Sequence, residues 1–551
     1  MGGLRTAVAG FGAVLAARNL RRLELAYVGA IAADWAFTVG VGVFAYEKSG
    51  ATAVGVVGLA RMLPAALGTP LVSAVADRHE REHVLVAVAA IAAAAMGAAA
   101  ATFYVDWSVA VVFVLAGVQG LASAVVRPAV TALLPSIVTT PGQLIAANGV
   151  SSTVEGIGTL AGPLVAGVVV AAADAGAVFV LAAAVNVAAA LLVASIRVEG
   201  RLRAADAEAL ADVLAGFRIV LHESRPRLLI ALFGAQAFVR GAVNVLIVVI
   251  AFRLLHAGGG WVGFLSAALG AGGLVGGVAA LPLAGRRLAA PFALGLALWG
   301  LPLVFLAVVH NKPAALLLLG LVGVGNAIED VSGFTLVQRL VSDQVRARIF
   351  GVLFGVVMAG VGIGSIVAPA LVAALGARGA LLLTGALLPA LVALSWRQLR
   401  AIDATAGGPQ RELALLEGVP LFAPLSVAAK EYVAASLATV CAAPGTEIIR
   451  EGAAGDRFYV VDRGHAEVTG NGRLLAVRGP GEYFGEIALL RGSPRVATVT
   501  ARDEMELYSL DRGAFLAAVT GHPVSLEAGE GIVRERLATV ELPAPRGGAE
   551  P

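Results

Sequence analysis

Between Phe484 and Val499 the sequence holds residues that can bind a phosphorylated sugar. Gly485 frees the backbone to approach a ligand. Glu486-Ile487-Ala488 then open a short helical run whose N–H groups can cradle an anion. Arg495, nine residues after Glu486 and followed by Val496-Ala497, can return from the next strand to the same pocket. An arginine opposite amide donors suits phosphate, where each charge-assisted hydrogen bond is worth about 1.5–3 kcal/mol. A carboxylate gains nothing beside a phosphate, but Glu486 can accept from a sugar hydroxyl. Phosphate plus sugar makes a nucleotide; the plainer alternative is a core arginine–glutamate pair.

Such residues need a scaffold that brings two strands and a turn together. Gly445-Thr446-Glu447-Ile448-Ile449-Arg450-Glu451-Gly452 is followed by Gly455-Asp456-Arg457-Phe458-Tyr459-Val460-Val461 and Gly464. Short β-prone runs broken by glycine turns, with Val468 and Leu474-Leu475 beyond, predict an antiparallel, jelly-roll-like β-roll of roughly eight strands. Helices are expected to flank it, with Phe515 in the C-terminal ones, and a flexible tail is expected over 541–551.

Upstream of this roll the chain is of another kind. Of 551 residues 59% are hydrophobic and 14% charged, against about 45–50% and about 25% for soluble chains. The lipid bilayer is therefore a partner. The one cysteine, Cys441, excludes an intrachain disulfide framework and cysteine-ligated metal sites. The seven histidines are scattered, and no hydrolase triad or Walker loop occurs, so neither an enzyme, a metal nor a cofactor is expected. Only three of the 40 basic residues are lysines and the net charge is +3, which gives no support to nucleic-acid binding.

A spanning helix needs roughly 20 apolar residues. Twelve such segments are predicted, near 22–46, 52–76, 83–104, 108–135, 143–172, 174–195, 226–254, 260–284, 288–310, 313–340, 347–375 and 377–397. This is a polytopic α-helical membrane protein with a C-terminal β-roll. An N-terminal segment over 1–21 precedes a six-helix half over 22–195; a loop over 196–225 carries an amphipathic helix near 205–222. The second six-helix half covers 226–397, a linker 398–411 and the roll domain 412–540. Arginines concentrate on the even-numbered side of the spans, which places both termini and the roll in the cytoplasm. The expected location is a bacterial inner membrane. Two six-helix halves describe a repeat-type transporter with its site at mid-membrane.

Charged residues inside spans cost roughly 2.5–3.5 kcal/mol each on insertion scales and must be paired or face a wet cavity. They are Asp34, Arg61, Arg127, Glu155, Arg240, Glu329 and Asp330. Asp34 and Arg61 suggest a pair, whereas Arg127 and Arg240 are placed to snorkel toward a membrane face. Asp34, Glu155, Glu329 and Asp330 are proton-site candidates, since a carboxyl group in a low-dielectric cavity can load and release a proton. Glycines of the eighth span, such as Gly270, Gly272 and Gly276, read as helix packing.

Residues 20–400 resemble the major facilitator superfamily, in particular its bacterial exporters. The resemblance rests on Ala33-Asp34-Trp35, on Arg61-Met62-Leu63-Pro64, and on Asp77-Arg78 with Arg81 after the second span. Most specific is an antiporter motif in the fifth span, with Gly149, Gly158, Gly162-Pro163 and Gly167. It implies efflux of an unknown small-molecule substrate, with proton coupling as an option. The fourth span keeps Gln119-Gly120, but Ala116 stands where drug exporters carry a coupling arginine.

Residues 415–540 resemble the cyclic-nucleotide-binding domains of protein kinase A regulatory subunits, cyclic-nucleotide-gated channels and the catabolite activator protein. The match implies that Glu486 takes the ribose 2′-hydroxyl and Arg495 the cyclic phosphate, with the amides of Ile487 and Ala488 completing the anion site. Val496 lacks the hydroxyl of cGMP-selective members, so cAMP is favoured. The C-terminal helices offer no Trp or Tyr to stack on the base, which leaves Ile532, Val533 and Leu537 as lid residues. A homodimer is among the arrangements the resemblance allows. The combined expectation is a transporter under allosteric control by cyclic nucleotide. Its alternatives are a membrane-tethered nucleotide receptor with little transport, and an exporter with a nucleotide-free structural roll.

Overall fold

The computed structural model describes residues 16–76, 80–138, 141–196, 224–280, 283, 287–309, 311–341, 343–405, 410–425, 429–430, 433–434, 436–470, 472–520, 529, 531–534 and 536. The amphipathic helix expected near 205–222 lies outside them, as do Asp77, Arg78 and Leu537. The chain divides into a helical unit, Met1–Pro282 with Leu288–Ala404, and a second unit, Thr405–Pro551 with Leu283–Arg287.

The helical unit runs α1 (Arg18–Ala76), α2 (Arg81–Tyr104), α3 (Val109–Ile137), α4 (Pro141–Ala172) and α5 (Ala175–Ala194) in its first half. The second half has α6 (Ser224–Val249), α7 (Gly260–Ala280), α8 (Ala289–Leu306), α9 (Lys312–Leu340) and α10 (Asp343–Thr405). Ten helices are long and apolar enough to cross a membrane among the described residues. At 59 residues, α1 would run about 88 Å if straight, nearly three bilayer cores. It breaks at Ser49-Gly50, where Gly50 takes φ 71°. Likewise α10 breaks at Gly376, also at φ 71°. Both are left-handed positions that a side chain would strain. The α10 helix continues to Thr405, past the expected start of the linker at 398.

Packing inside each half follows small residues. Gly158 and Gly162 of α4 lie against the Val28 and Ala32 carbonyls of α1, so the fifth-span glycines serve a close helix crossing. The halves meet where Gly167 and Pro163 of α4 abut Gly260 and Gly263 of α7, backbone to backbone. At the same end Tyr46 stacks on Phe252 with ring centroids 4.6 Å apart, and Arg253 Nε donates to the Tyr46 hydroxyl at 3.0 Å. On its other side α7 uses Gly272 and Gly276 against Gly320 and Val324 of α9. The packing reading of these glycines fits this geometry. Arg81 Nη1 donates to the Ala132 carbonyl and ties the start of α2 to α3.

In the second unit α11 (Gln410–Glu417) leads into eight strands: β1 (Ala438–Ala442), β2 (Glu447–Ile449), β3 (Arg457–Arg463), β4 (Ala466–Gly470), β5 (Arg473–Arg478), β6 (Tyr483–Phe484), β7 (Thr498–Ala501) and β8 (Met505–Asp511). The short α12 (Glu486–Arg491) sits between β6 and β7, and α13 (Arg512–Thr520) follows β8. Two antiparallel four-stranded sheets, ordered β1-β8-β3-β6 and β2-β7-β4-β5, form the roll. One core fills the space between the sheets, around Val461, Phe484, Val499 and Leu507. A second joins the helices to β3 and β8, where Phe458 stacks on Phe515 at 4.9 Å and meets Phe422 edge-on at 5.6 Å.

Candidate functional site

The turn from β6 into α12 and the stretch before β7 face one cleft of the roll. Its volume is about 710 Å³, counted out to the solvent it opens on. Gly485, Glu486, Ile487, Ala488, Arg495, Val496 and Ala497 all line it, together with Leu475, Arg478 and Arg536. Gly485 stands at φ 93°, with the Arg495 guanidinium and the Arg457 carbonyl where a side chain would go, so only glycine makes this turn without strain.

The two charged residues are deeply set. Arg495 is 5% exposed; its Nη1 donates to the Gly485 carbonyl at 3.0 Å and its Nη2 to the Arg457 carbonyl at 2.7 Å. The remaining contact, Nη2 to Asp456 at 3.1 Å, reaches a carboxylate that is 71% exposed. An anion entering the cleft can replace that partner without unmaking the two carbonyl bonds. Glu486 is 1% exposed; its Oε1 accepts from Arg536 at 2.9 Å, while Oε2 is buried with no partner. A buried acceptor left open is costly, and a ligand hydroxyl would relieve it. Glu486 and Arg495 do not pair with each other: Glu486 pairs with Arg536, and Arg495 with Asp456.

Six of the seven charged residues singled out in the spans fall into three pairs. Asp34 Oδ1 accepts from Arg61 Nη2 at 2.7 Å and from Gln119; Arg61 also donates to Gln119 Oε1 at 2.9 Å and to Thr38. Arg127 meets Glu155 at 3.2 Å. Arg240 donates to Asn326, lies 4.0 Å from Asp330 and sits over the Trp299 ring at 5.7 Å. Arg127 and Arg240 each meet a carboxylate on a neighbouring helix. Glu329 is fully buried, and neither of its carboxyl oxygens has a partner.

Comparison with known families separates the two units in the same way. The Major Facilitator Superfamily model matches residues 23–353, more than half of the chain. The chain belongs to the major facilitator superfamily. A second model, the cyclic nucleotide-binding domain, matches residues 439–522. This facilitator therefore carries a cyclic nucleotide-binding domain after its helical unit. Among curated proteins, the cAMP-dependent protein kinase regulatory subunit of Yarrowia lipolytica is 41% identical over 102 residues, covering 18% of this chain and 27% of the relative. That of Schizosaccharomyces pombe is 38% identical over 102 residues, covering 18% and 25%. The facilitator thus spans about a quarter of the length of these relatives. Among solved structures, the regulatory domain of Toxoplasma gondii protein kinase A with cAMP is 25% identical, covering 26% of this chain and 56% of that one, with a TM-score of 0.23.

Two groups of this facilitator escaped the sequence reading. Arg536 reaches the cleft from the C-terminal residues, with Nη1 3.1 Å from the Tyr483 carbonyl and its guanidinium 4.5 Å above the Tyr483 ring. The aliphatic lid proposed from sequence is corrected at two positions: Ile532 packs on the helical core and Val533 is 2% exposed, so both stabilise the domain instead of covering the cleft. Arg536, three residues after Val533, carries a charge, whereas a lid over a base is expected of apolar residues. Glu24 is the second omission. It is 2% exposed, and Ser151 donates to its Oε1 at 2.5 Å, although its place near the start of α1 suggests a membrane-face residue.

The Glu486–Arg536 contact has a measurable consequence. Arg536→Ala leaves both Glu486 oxygens open and lowers the stability of the empty domain by about 1–3 kcal/mol. Thermal unfolding with and without saturating cyclic nucleotide checks this: the midpoint of the variant is lower in both states, because the single free ribose hydroxyl of a cyclic nucleotide can fill only one of the two Glu486 oxygens. An unchanged midpoint in the empty variant contradicts it.

Proposed function

We propose that this protein is a secondary transporter whose alternating-access equilibrium is set by a cyclic nucleotide bound to its roll domain, with cAMP favoured over cGMP. The observation that carries the reading is the cleft holding a buried Arg495 whose outer partner is exchangeable and a buried Glu486 with one open oxygen. Arg495 takes the cyclic phosphate and Glu486 the ribose 2′-hydroxyl. Val496 in the cleft wall offers no hydroxyl to a guanine, which supports the preference for cAMP. The fungal relatives named as cAMP-dependent protein kinase regulatory subunits support the same ligand. The spans supply twelve crossings once the breaks in α1 and α10 are counted, with the roll on the arginine-rich, cytoplasmic side.

A ligand shifts such an equilibrium only by its differential affinity for the two states, typically about 1–3 kcal/mol, or roughly 5–150-fold. Hydrogen exchange of the full chain in lipid nanodiscs tests the proposal. Added cAMP changes amide protection in the spans of the wild type and leaves an Arg495→Ala variant unchanged. Binding of cAMP with unaltered exchange throughout the spans would favour the tethered-receptor alternative.

A further inference from the structure

Two cavities of the helical unit share one side-chain network as part of their walls. The first, about 490 Å³, lies within the first half and has Asp34 and Gln119 in its lining. The second, about 720 Å³, lies between the halves; Thr38 and Arg61 line it from one half, and Asn244, Ser266 and Ser365 from the other. Arg61 is the one charged side chain on the wall of this central cavity among the described residues. Its other polar groups are hydroxyls and an amide, and the rest of the wall is largely valine, with Trp35, Ile247 and Met62. A wall of this kind suits a molecule with an apolar body and a single negative charge.

The guanidinium is nevertheless occupied. Nε and Nη2 both donate to Gln119 Oε1, at 3.2 and 2.9 Å, Nη2 also donates to Asp34, and Nη1 donates to Thr38. Four donations leave one of five N–H groups uncommitted. An anion gains a bidentate partner only when Asp34 gives up its share, and a proton on Asp34 is what makes it do so. Among the other groups near Asp34, Tyr27 and Asn186 line the same cavity and are uncharged at neutral pH. Glu24 is held by Ser151, and Arg127 is paired with Glu155. The charged group in direct contact with Asp34 is Arg61.

We propose that the central cavity binds a small amphipathic organic anion, a carboxylate or sulfonate on an apolar body, together with one proton on Asp34. The anion and the Asp34 carboxylate compete for one guanidinium, so proton and anion bind cooperatively. Charge bookkeeping supports the pairing. The empty site holds Asp34⁻ and Arg61⁺; the loaded site holds neutral Asp34, Arg61⁺ and the anion, and both sum to zero. Neither form carries a net charge through the low-dielectric interior. Cotransport in one direction replaces the exchange that the fifth-span motif implies by resemblance. This inference rests on the transporter reading above and names its substrate class and coupling ion.

Permanently charged probes test it on the full chain in nanodiscs by calorimetry, in buffers of different ionisation enthalpy. Benzenesulfonate binds, about tenfold or more tighter at pH 5.5 than at pH 8, with uptake of close to one proton per anion; benzyltrimethylammonium does not bind. Asp34→Asn binds benzenesulfonate without pH dependence or proton uptake, and Arg61→Gln loses about tenfold or more in affinity. Binding of the cation in preference to the anion, proton release by the wild type, or no benzenesulfonate binding at either pH overturns the proposal. The wild-type proton count decides the matter even where a variant fails to fold. The same samples are titrated with cAMP: cAMP binding without sulfonate binding sinks this inference alone, and sulfonate binding without cAMP binding sinks the nucleotide reading alone.

Discussion

Arg495→Ala lowers the affinity of the full chain for cAMP by about a hundredfold or more, read by calorimetry. Two charge-assisted bonds to a phosphate, at about 1.5–3 kcal/mol each, account for a loss of that size. The variant also removes the donors that now meet the Gly485 and Arg457 carbonyls, so part of the loss comes from a loosened turn. Arg495→Lys separates the two contributions. Lysine keeps the positive charge but cannot form a planar fork to two carbonyls and a phosphate at once, so its affinity falls between wild type and alanine. The Phe422–Phe458–Phe515 cluster lies on the helical side of the roll, away from the residues that line the cleft, and the domain stays folded in both variants. Equal affinity in wild type and Arg495→Ala would refute the assignment of the phosphate site.

Gly263→Val is the second large effect. A Cβ at Gly263 meets the Gly167 backbone and the Pro163 carbonyl, and nothing there is the end of a flexible side chain that can turn away. The α4 and α7 helices must separate, at a cost of about 1–3 kcal/mol as an overpacked core does, and the halves lose this backbone-to-backbone contact. Chemical denaturation in detergent reads the destabilisation. Gly277 of the same helix has open space around its Cβ direction, so Gly277→Val leaves the midpoint nearly unchanged. If both substitutions behave alike, helix propensity and not the crossing is responsible. Gly167→Val acts on the same crossing, and its effect does not add to that of Gly263→Val.

The nucleotide cleft was legible because most of its chemistry is local. Gly485 to Ala497 is one strand end, one short helix and one turn, so spacing along the chain is nearly spacing in space. Arg536 lies 50 residues beyond Glu486 and reaches it only through the fold of the C-terminal residues, a placement that no motif encodes. In the spans, charge in an apolar run pointed to Asp34 and Arg61, because burying an ion demands a partner. The partners themselves, Thr38 and Gln119, are ordinary polar residues whose roles depend on helix rotation. The carboxylates that Arg127 and Arg240 meet are hidden from sequence for the same reason: a place in an apolar run does not say which group the neighbouring helix presents. The breaks at Gly50 and Gly376 fall between the ends of adjacent expected spans, where the helix changes direction with almost no loop.

The ion pair of Arg61 with Asp34 also bears on the order in which this site can change over generations. Removing one partner of a buried ion pair costs about 3–5 kcal/mol, whereas replacing both with well-packed apolar residues is often neutral. The two single losses are unequal. An aspartate stranded without its arginine can take up a proton and become neutral, but a guanidinium stranded without its aspartate has no such escape. A lineage leaving this arrangement is expected to lose Arg61 first and Asp34 second, and chains that keep an arginine at position 61 without an acid at 34 should be the rarest of the four combinations.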